Sequence, residues 1–203
     1  SLATALLIAA RFYKNLFTDE GYLTWTLPAS PVQQLWAKIL SGCIWNILDL
    51  ILLYSAAYFM WISPNVQNAY RMIASEFTAS LGMPLSKFFL LMVLLSIIGV
   101  GSNVLMLYAS ISIGQLFPAH RLLLSVIVYF IFYMIIYALS MGALIIFKLL
   151  PGIALSANTV NEAASMSTYL TGTFLISLVL SAVMAVIQYV ITHLILTRKL
   201  NLI

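Results

Sequence analysis

Four long runs of this chain, 40–62, 88–116, 122–150 and 168–196, hold only Asp49 and Lys148 as charged residues. Each is 23 to 29 residues long, and about 20 apolar residues suffice to cross a bilayer. The whole chain of 203 residues is 64% hydrophobic and 7% charged, where a soluble domain carries roughly 25% charged residues. No single core of this size could hide so much apolar surface from water. The runs are continuous, whereas outer-membrane strands alternate apolar and polar residues. Helices are the remaining solution, because each satisfies its own backbone hydrogen bonds in lipid. The expected fold class is therefore all-α, a polytopic transmembrane helix bundle forming a single domain over 1–203.

Between the runs, residues 1–16 read as the end of a membrane helix that emerges at Arg11 and Lys14. The opening apolar stretch, 2–10, is too short for a span and reads as the remainder of a helix begun before Ser1. Ser30-Pro31 is a helix start, with serine as cap and proline in the first turn. Val32, Leu35, Trp36, Ile39 and Leu40 then form an amphipathic stripe. That helix is expected to lie on the membrane surface before bending inward past Lys38 into the run 40–62. Residues 63–85 form a polar connection, with Val66, Tyr70, Ile73, Phe77 and Leu81 spaced for a short amphipathic helix between Pro64 and Pro84. Residues 117–121 make a tight turn, and 151–167 are small and mildly polar.

The net charge is +4, but the nine lysines and arginines form no patch, which excludes a nucleic-acid partner. They read as membrane-flanking charges. With the C-terminus inside, Arg11, Lys14, Lys38, Arg121, Arg198 and Lys199 lie on the inner face and Arg71, Lys87 and Lys148 on the outer. Six against three favours that orientation by the positive-inside rule. The single cysteine, Cys43, reads as a small packing residue.

No segment matches the phosphate-binding G-x-x-x-x-G-K-[ST] pattern, so ATP hydrolysis by that route is not expected here. No metal site is expected, and His120 and His193 read as interfacial. The polar residues inside spans are Asn46 and Asp49 on one face of 40–62, Asn103, and Gln188. An acidic residue in a span costs at least ~2.5 kcal/mol at the bilayer centre. Asp49 either lines a pathway or is neutralised and holds the bundle together. Gly99, Gly101 and Ser102 are expected to allow close helix packing, with a hinge as the alternative.

One polar island breaks the pattern, Phe17-Thr18-Asp19-Glu20-Gly21-Tyr22-Leu23-Thr24-Trp25-Thr26-Leu27-Pro28. It holds two of five acidic residues. Thr18 can cap a short helix whose first turn carries Asp19 and Glu20, where the helix dipole favours them by about 0.3–1 kcal/mol each. Starting a helix does not account for Tyr22, Leu23, Trp25 and Leu27. A rigid segment with apolar knobs and a fixed negative end suits docking in a cleft of a soluble partner.

The run from Phe12 through Thr24, then Thr26-Leu27-Pro28-Ala29-Ser30 and Lys38, resembles ABC-2-type transporter permeases. In that family an acidic residue, a glycine and a leucine precede a Leu-Pro step, and a lysine starts the next span. The form is similar to permeases of Gram-positive, clostridia-like bacteria, as are Ile113-Gly114-Gln115-Leu116-Phe117, His120-Arg121 and the stretch from Arg198 to Leu202. The resemblance implies a type V exporter-like bundle of six spans in the bacterial cell membrane, of which about five are present. On that reading 1–16 ends span two, 17–39 holds the coupling and interfacial helices, and 40–62, 88–116, 122–150 and 168–196 are spans three to six. Residues 151–167 would be a half-inserted outer segment.

It further implies that Phe17, Asp19, Glu20, Gly21, Tyr22, Leu23, Leu27 and Pro28 couple to a separate cytoplasmic ATPase subunit carrying ATP and Mg. Gln115, His120 and Arg121 would make a second cytoplasmic contact. A second copy of the permease, or a related one, would complete the pathway in the lipid bilayer. Amphipathic peptides or other hydrophobic cargo would be exported. The competing reading is an ion- or proton-coupled carrier centred on Asp49. A third is a membrane module that transports nothing.

Overall fold

The computed structural model describes residues 2–17, 30–117, 120–147 and 160–198, with no side chain described at 73, 77, 160–165 or 198. The described residues form six α-helices and no strand. They are α1 (Leu2–Phe17), α2 (Pro31–Ile62), α3 (Pro64–Leu81), α4 (Leu85–Gly114), α5 (Arg121–Ile146) and α6 (Val160–Arg198). Pro31–Ile62, Leu85–Gly114, Arg121–Ile146 and Met166–Thr197 are each long and apolar enough to cross a membrane. Their side chains mostly point away from the chain's own packing: Phe59 is 72% exposed and Met134 65%. Apolar surface on that scale has to be covered by something other than water, and lipid is the cover that helices of this length and composition call for.

Local sequence explains where the helices start and stop. Ser30 and Gln33 form a reciprocal cap at the head of α2. The Gln33 backbone N–H donates to Ser30 Oγ at 3.3 Å, and the Ser30 N–H donates to Gln33 Oε1 at 3.0 Å. This S-x-x-Q box satisfies two backbone donors at once. α3 starts at Pro64 and ends at Gly82, whose φ of 64° is left-handed and whose N–H returns to the Thr78 carbonyl. Glycine adopts that conformation without a side-chain clash.

Two expectations change. The surface helix and span expected on either side of Lys38 are one unbroken helix of 32 residues. No proline falls within it after Pro31, and the one glycine near the expected bend, Gly42, is buried, so nothing releases the backbone ladder. The outer segment expected over 151–167 is helical from Val160 onward and continuous with the last span. Residues 148–159 lie outside the described residues.

The helices fall into two compact units. The first comprises Ser1–Asp49, Gly99–Ile136 and Ser181–Ile203, and the second Leu50–Ile98 and Tyr137–Leu180. The first unit holds a buried cluster of Ile8, Phe12 and Leu16 from α1, Leu35 and Ile39 from α2, Val104, Tyr108 and Ile111 from α4, and Leu196 from α6. Cys43 packs against this cluster as a half-buried free thiol, as expected. Ser102 Oγ donates to the Ser181 carbonyl at 3.0 Å, joining α4 to α6. In the second unit Tyr54 and Ser96 are hydrogen-bonded at 3.0 Å. Ser96 gives its own proton to the Met92 carbonyl, so Tyr54 is the donor. Phe89 meets Tyr54, and Phe174 meets Phe88, edge to face.

Candidate functional site

The densest part of the first unit is the junction of α1, α2 and α4, and Tyr108 is its centre. Its ring stacks on Phe12 with centroids 3.8 Å apart and planes 9° from parallel. Its hydroxyl donates to the Lys38 carbonyl at 2.9 Å. A buried tyrosine needs such a partner for its hydroxyl. Room for the ring edge comes from Gly42, where an added Cβ would lie 2.8 Å from Tyr108 Oη and 2.9 Å from Val104 Cγ1. One phenol thus ties α1 and α2 to its own helix, α4.

Beside this junction α1 and α2, with Tyr108, line an open-sided cavity of about 150 Å³. Arg11 and Asn15 line it from α1, and Lys38, Ser41 and Trp45 from α2. The Arg11 guanidinium lies over the Trp45 ring, 5.7 Å from its centroid. In the second unit a wider groove of about 450 Å³ runs past Gly82, Met83 and Lys87 to Ser167, Thr168 and Thr171.

Of the residues singled out from sequence for coupling, Asp19, Glu20, Gly21, Tyr22, Leu23, Leu27 and Pro28 lie outside the described residues, as does the Thr18 cap. Phe17 is half-buried at the end of α1, with its ring edge-on to Phe12 at 5.9 Å. What borders the undescribed stretch is well packed: Leu16 is buried on one side and Leu35 on the other. Both belong to the cluster around Tyr108.

The second expected contact is at the α4–α5 turn. His120 and Arg121 are exposed there, and Gln115 is half-buried. Gly114 makes the turn possible, since an added Cβ would lie 2.8 Å from the Arg121 carbonyl oxygen and the Ser125 nitrogen, and would collide with Ser125 Oγ.

The four polar residues singled out within the apolar runs, as pathway or packing groups, are placed as follows. Asn46 Nδ2 donates to the Gly42 carbonyl of its own helix at 3.3 Å. Asp49 is half-buried and engaged in an interaction. Asn103 is half-buried on α4. Gln188 is 1% exposed, and neither atom of its side-chain amide has a hydrogen-bond partner among the described residues. Gln188 is therefore not hydrogen-bonded to the other three.

Gly99 and Gly101 differ from expectation. An added Cβ at either meets nothing within 4 Å in this chain, so the close approaches are at Gly42 and Gly114. In the sequence Gly114 stood out only as part of a motif and Arg11 only as a flanking charge, while Gly42, Tyr108 and Trp45 did not stand out. A tyrosine in the middle of an apolar run was the available signal for the first junction. Among the described residues no group of three or more histidines, cysteines, aspartates or glutamates could hold a metal ion. No protein-family model, no curated protein and no solved structure matches the chain.

Proposed function

We propose that the chain is the transmembrane subunit of an ATP-driven exporter, in which residues 18–29 dock into a separate cytoplasmic ATPase subunit. One observation carries the reading. The helices on both sides of 18–29 are rooted in a single buried cluster that also takes in α4 and α6. Protein interiors are close-packed and transmit strain. A push on 18–29 would therefore reach α4 and α6 through Phe12, Leu16 and Leu35, and would not be absorbed at a loose loop end. Asp19 and Glu20 supply a negative end for the docking surface, and Tyr22, Leu23 and Leu27 its apolar knobs.

In this mechanism ATP and Mg bind the partner ATPase, and this chain performs no hydrolysis. A second copy of the permease completes the pathway. The C-terminus and the His120 turn face the cytoplasm of a bacterial cell, and the largely apolar helices suit an amphipathic cargo such as a peptide. The exposed positions His120 and Arg121 give the ATPase a second point of contact.

The test uses the complete complex purified from membranes. The wild-type chain is expected to retain an ATPase subunit bearing the nucleotide-binding motif this chain lacks, and Glu20→Lys to lose it or to uncouple hydrolysis from transport. Unchanged assembly and unchanged coupled hydrolysis in Glu20→Lys would overturn the docking role. Transport that needs no ATPase and is abolished by Asp49→Asn would instead favour a proton-coupled carrier.

A further inference from the structure

We propose that the cavity between α1 and α2 binds the phosphate of an anionic lipid headgroup. The inference needs only the membrane character of the chain and stands apart from the exporter reading. Two cations, Arg11 and Lys38, line one small cavity, and among the described residues no carboxylate lines it. Among the described residues neither cation forms an ion pair. Two like charges on the wall of one cavity repel each other, and an anion between them removes that cost. Asn15 and Ser41 add neutral hydrogen-bonding groups to the same wall.

The shape and level of the cavity fit the assignment. The Trp45 ring holds the Arg11 guanidinium in place by a cation–π contact, and a guanidinium fork matches two phosphate oxygens at once. A cavity of about 150 Å³ is of the size that admits a benzene-sized molecule, so a phosphate group enters with water to spare. Lys38 and Trp61 are separated by 23 positions of one unbroken helix, about 35 Å at ~1.5 Å per residue. The hydrocarbon core is about 30 Å thick. With Trp61 at one interface, where tryptophan concentrates, Lys38 falls at headgroup level on the other.

Free phosphate and a lipid headgroup share this chemistry, and the apolar part of the wall separates them. Leu7 and Trp45 line the cavity, and each is 39% exposed. A diacyl lipid covers that surface, and a free ion leaves it wet. Basic pockets between membrane helices are a recurrent site for acidic lipid headgroups.

The experiment follows melting of the purified full chain in a neutral detergent at ~0.15 M salt, where long-range attraction is screened. Phosphatidylglycerol, phosphatidylcholine and inorganic phosphate are titrated separately. Phosphatidylglycerol alone is expected to raise the melting temperature saturably. Arg11→Gln and Lys38→Gln are each expected to weaken its half-saturation about fivefold, and Arg71→Gln, in the second unit, to leave it unchanged. Arg11→Lys keeps the charge and separates folding from recognition. It should retain the lipid-free melting temperature and still bind more weakly. Equal responses to the two lipids, or an equal loss in Arg71→Gln, would overturn the site. Stabilisation by inorganic phosphate equal to that by phosphatidylglycerol would overturn the lipid as its occupant.

Discussion

Three glycines that look alike in sequence differ in what a methyl group would meet. At Gly42 it would strike two side chains, Tyr108 and Val104. At Gly114 it would strike the backbone of the α4–α5 turn, which cannot give way. At Gly99 it would meet nothing. Gly42→Ala should therefore cost about 1–3 kcal/mol, the usual range for overpacking, and Gly114→Ala more. Gly99→Ala should be neutral or stabilising by up to about 1 kcal/mol, since alanine is the better helix former. Melting of the three variants in one detergent checks the order. Gln188 gives the second expectation at this scale. Its buried amide lacks partners among the described residues, and an unsatisfied buried group costs about 1–3 kcal/mol. Gln188→Leu should raise the melting temperature. If it also abolishes transport, the amide belongs to the pathway. Neither point was legible in the chain, because what a glycine or a glutamine meets is decided by residues tens of positions away.

At the scale of elements, helix boundaries set by local chemistry were readable and those set by packing were not. The Ser30-Pro31 start and the helix between Pro64 and Pro84 both occur as the residue types dictate. The bend expected after Lys38 does not occur, because Gly42 faces a tight contact and not a hinge. The cap at Ser30 should matter beyond its own turn, since it fixes the start of the helix that carries Leu35 into the buried cluster. Ser30→Ala removes the side-chain half of the box, and about 1 kcal/mol is the typical loss. Amide hydrogen exchange at Gln33 and Gln34 should rise, while that at Gly42 stays unchanged.

For the whole molecule, length and composition were enough to identify four candidate spans, since a continuous apolar run has few alternatives in water or lipid. The candidate site was legible only as a polar anomaly. Its support around Tyr108 depends on three helices meeting. Arg11, Lys14, Lys38 and Arg121 belong to the first unit, and Arg71 and Lys87 to the second. The 30 residues of α4 extend about 45 Å, so its two ends should emerge on opposite sides of a membrane. In a chain carrying Cys43→Ala, an impermeant thiol reagent added outside cells should label Ser80→Cys and spare His120→Cys. The reverse pattern would invert the orientation.

The hydrogen bonds that fasten the spans to one another have an electrical consequence. Tyr54 to Ser96, Ser102 to Ser181 and Tyr108 to Lys38 each join a hydroxyl to a hydroxyl or a backbone carbonyl. Moving one elementary charge through the membrane potential is worth about 2.3 kcal/mol per 100 mV, but none of these fastenings carries a charge to move. A swing in voltage exerts no net pull on them. Polarised and depolarised membranes should hold these three joints equally well.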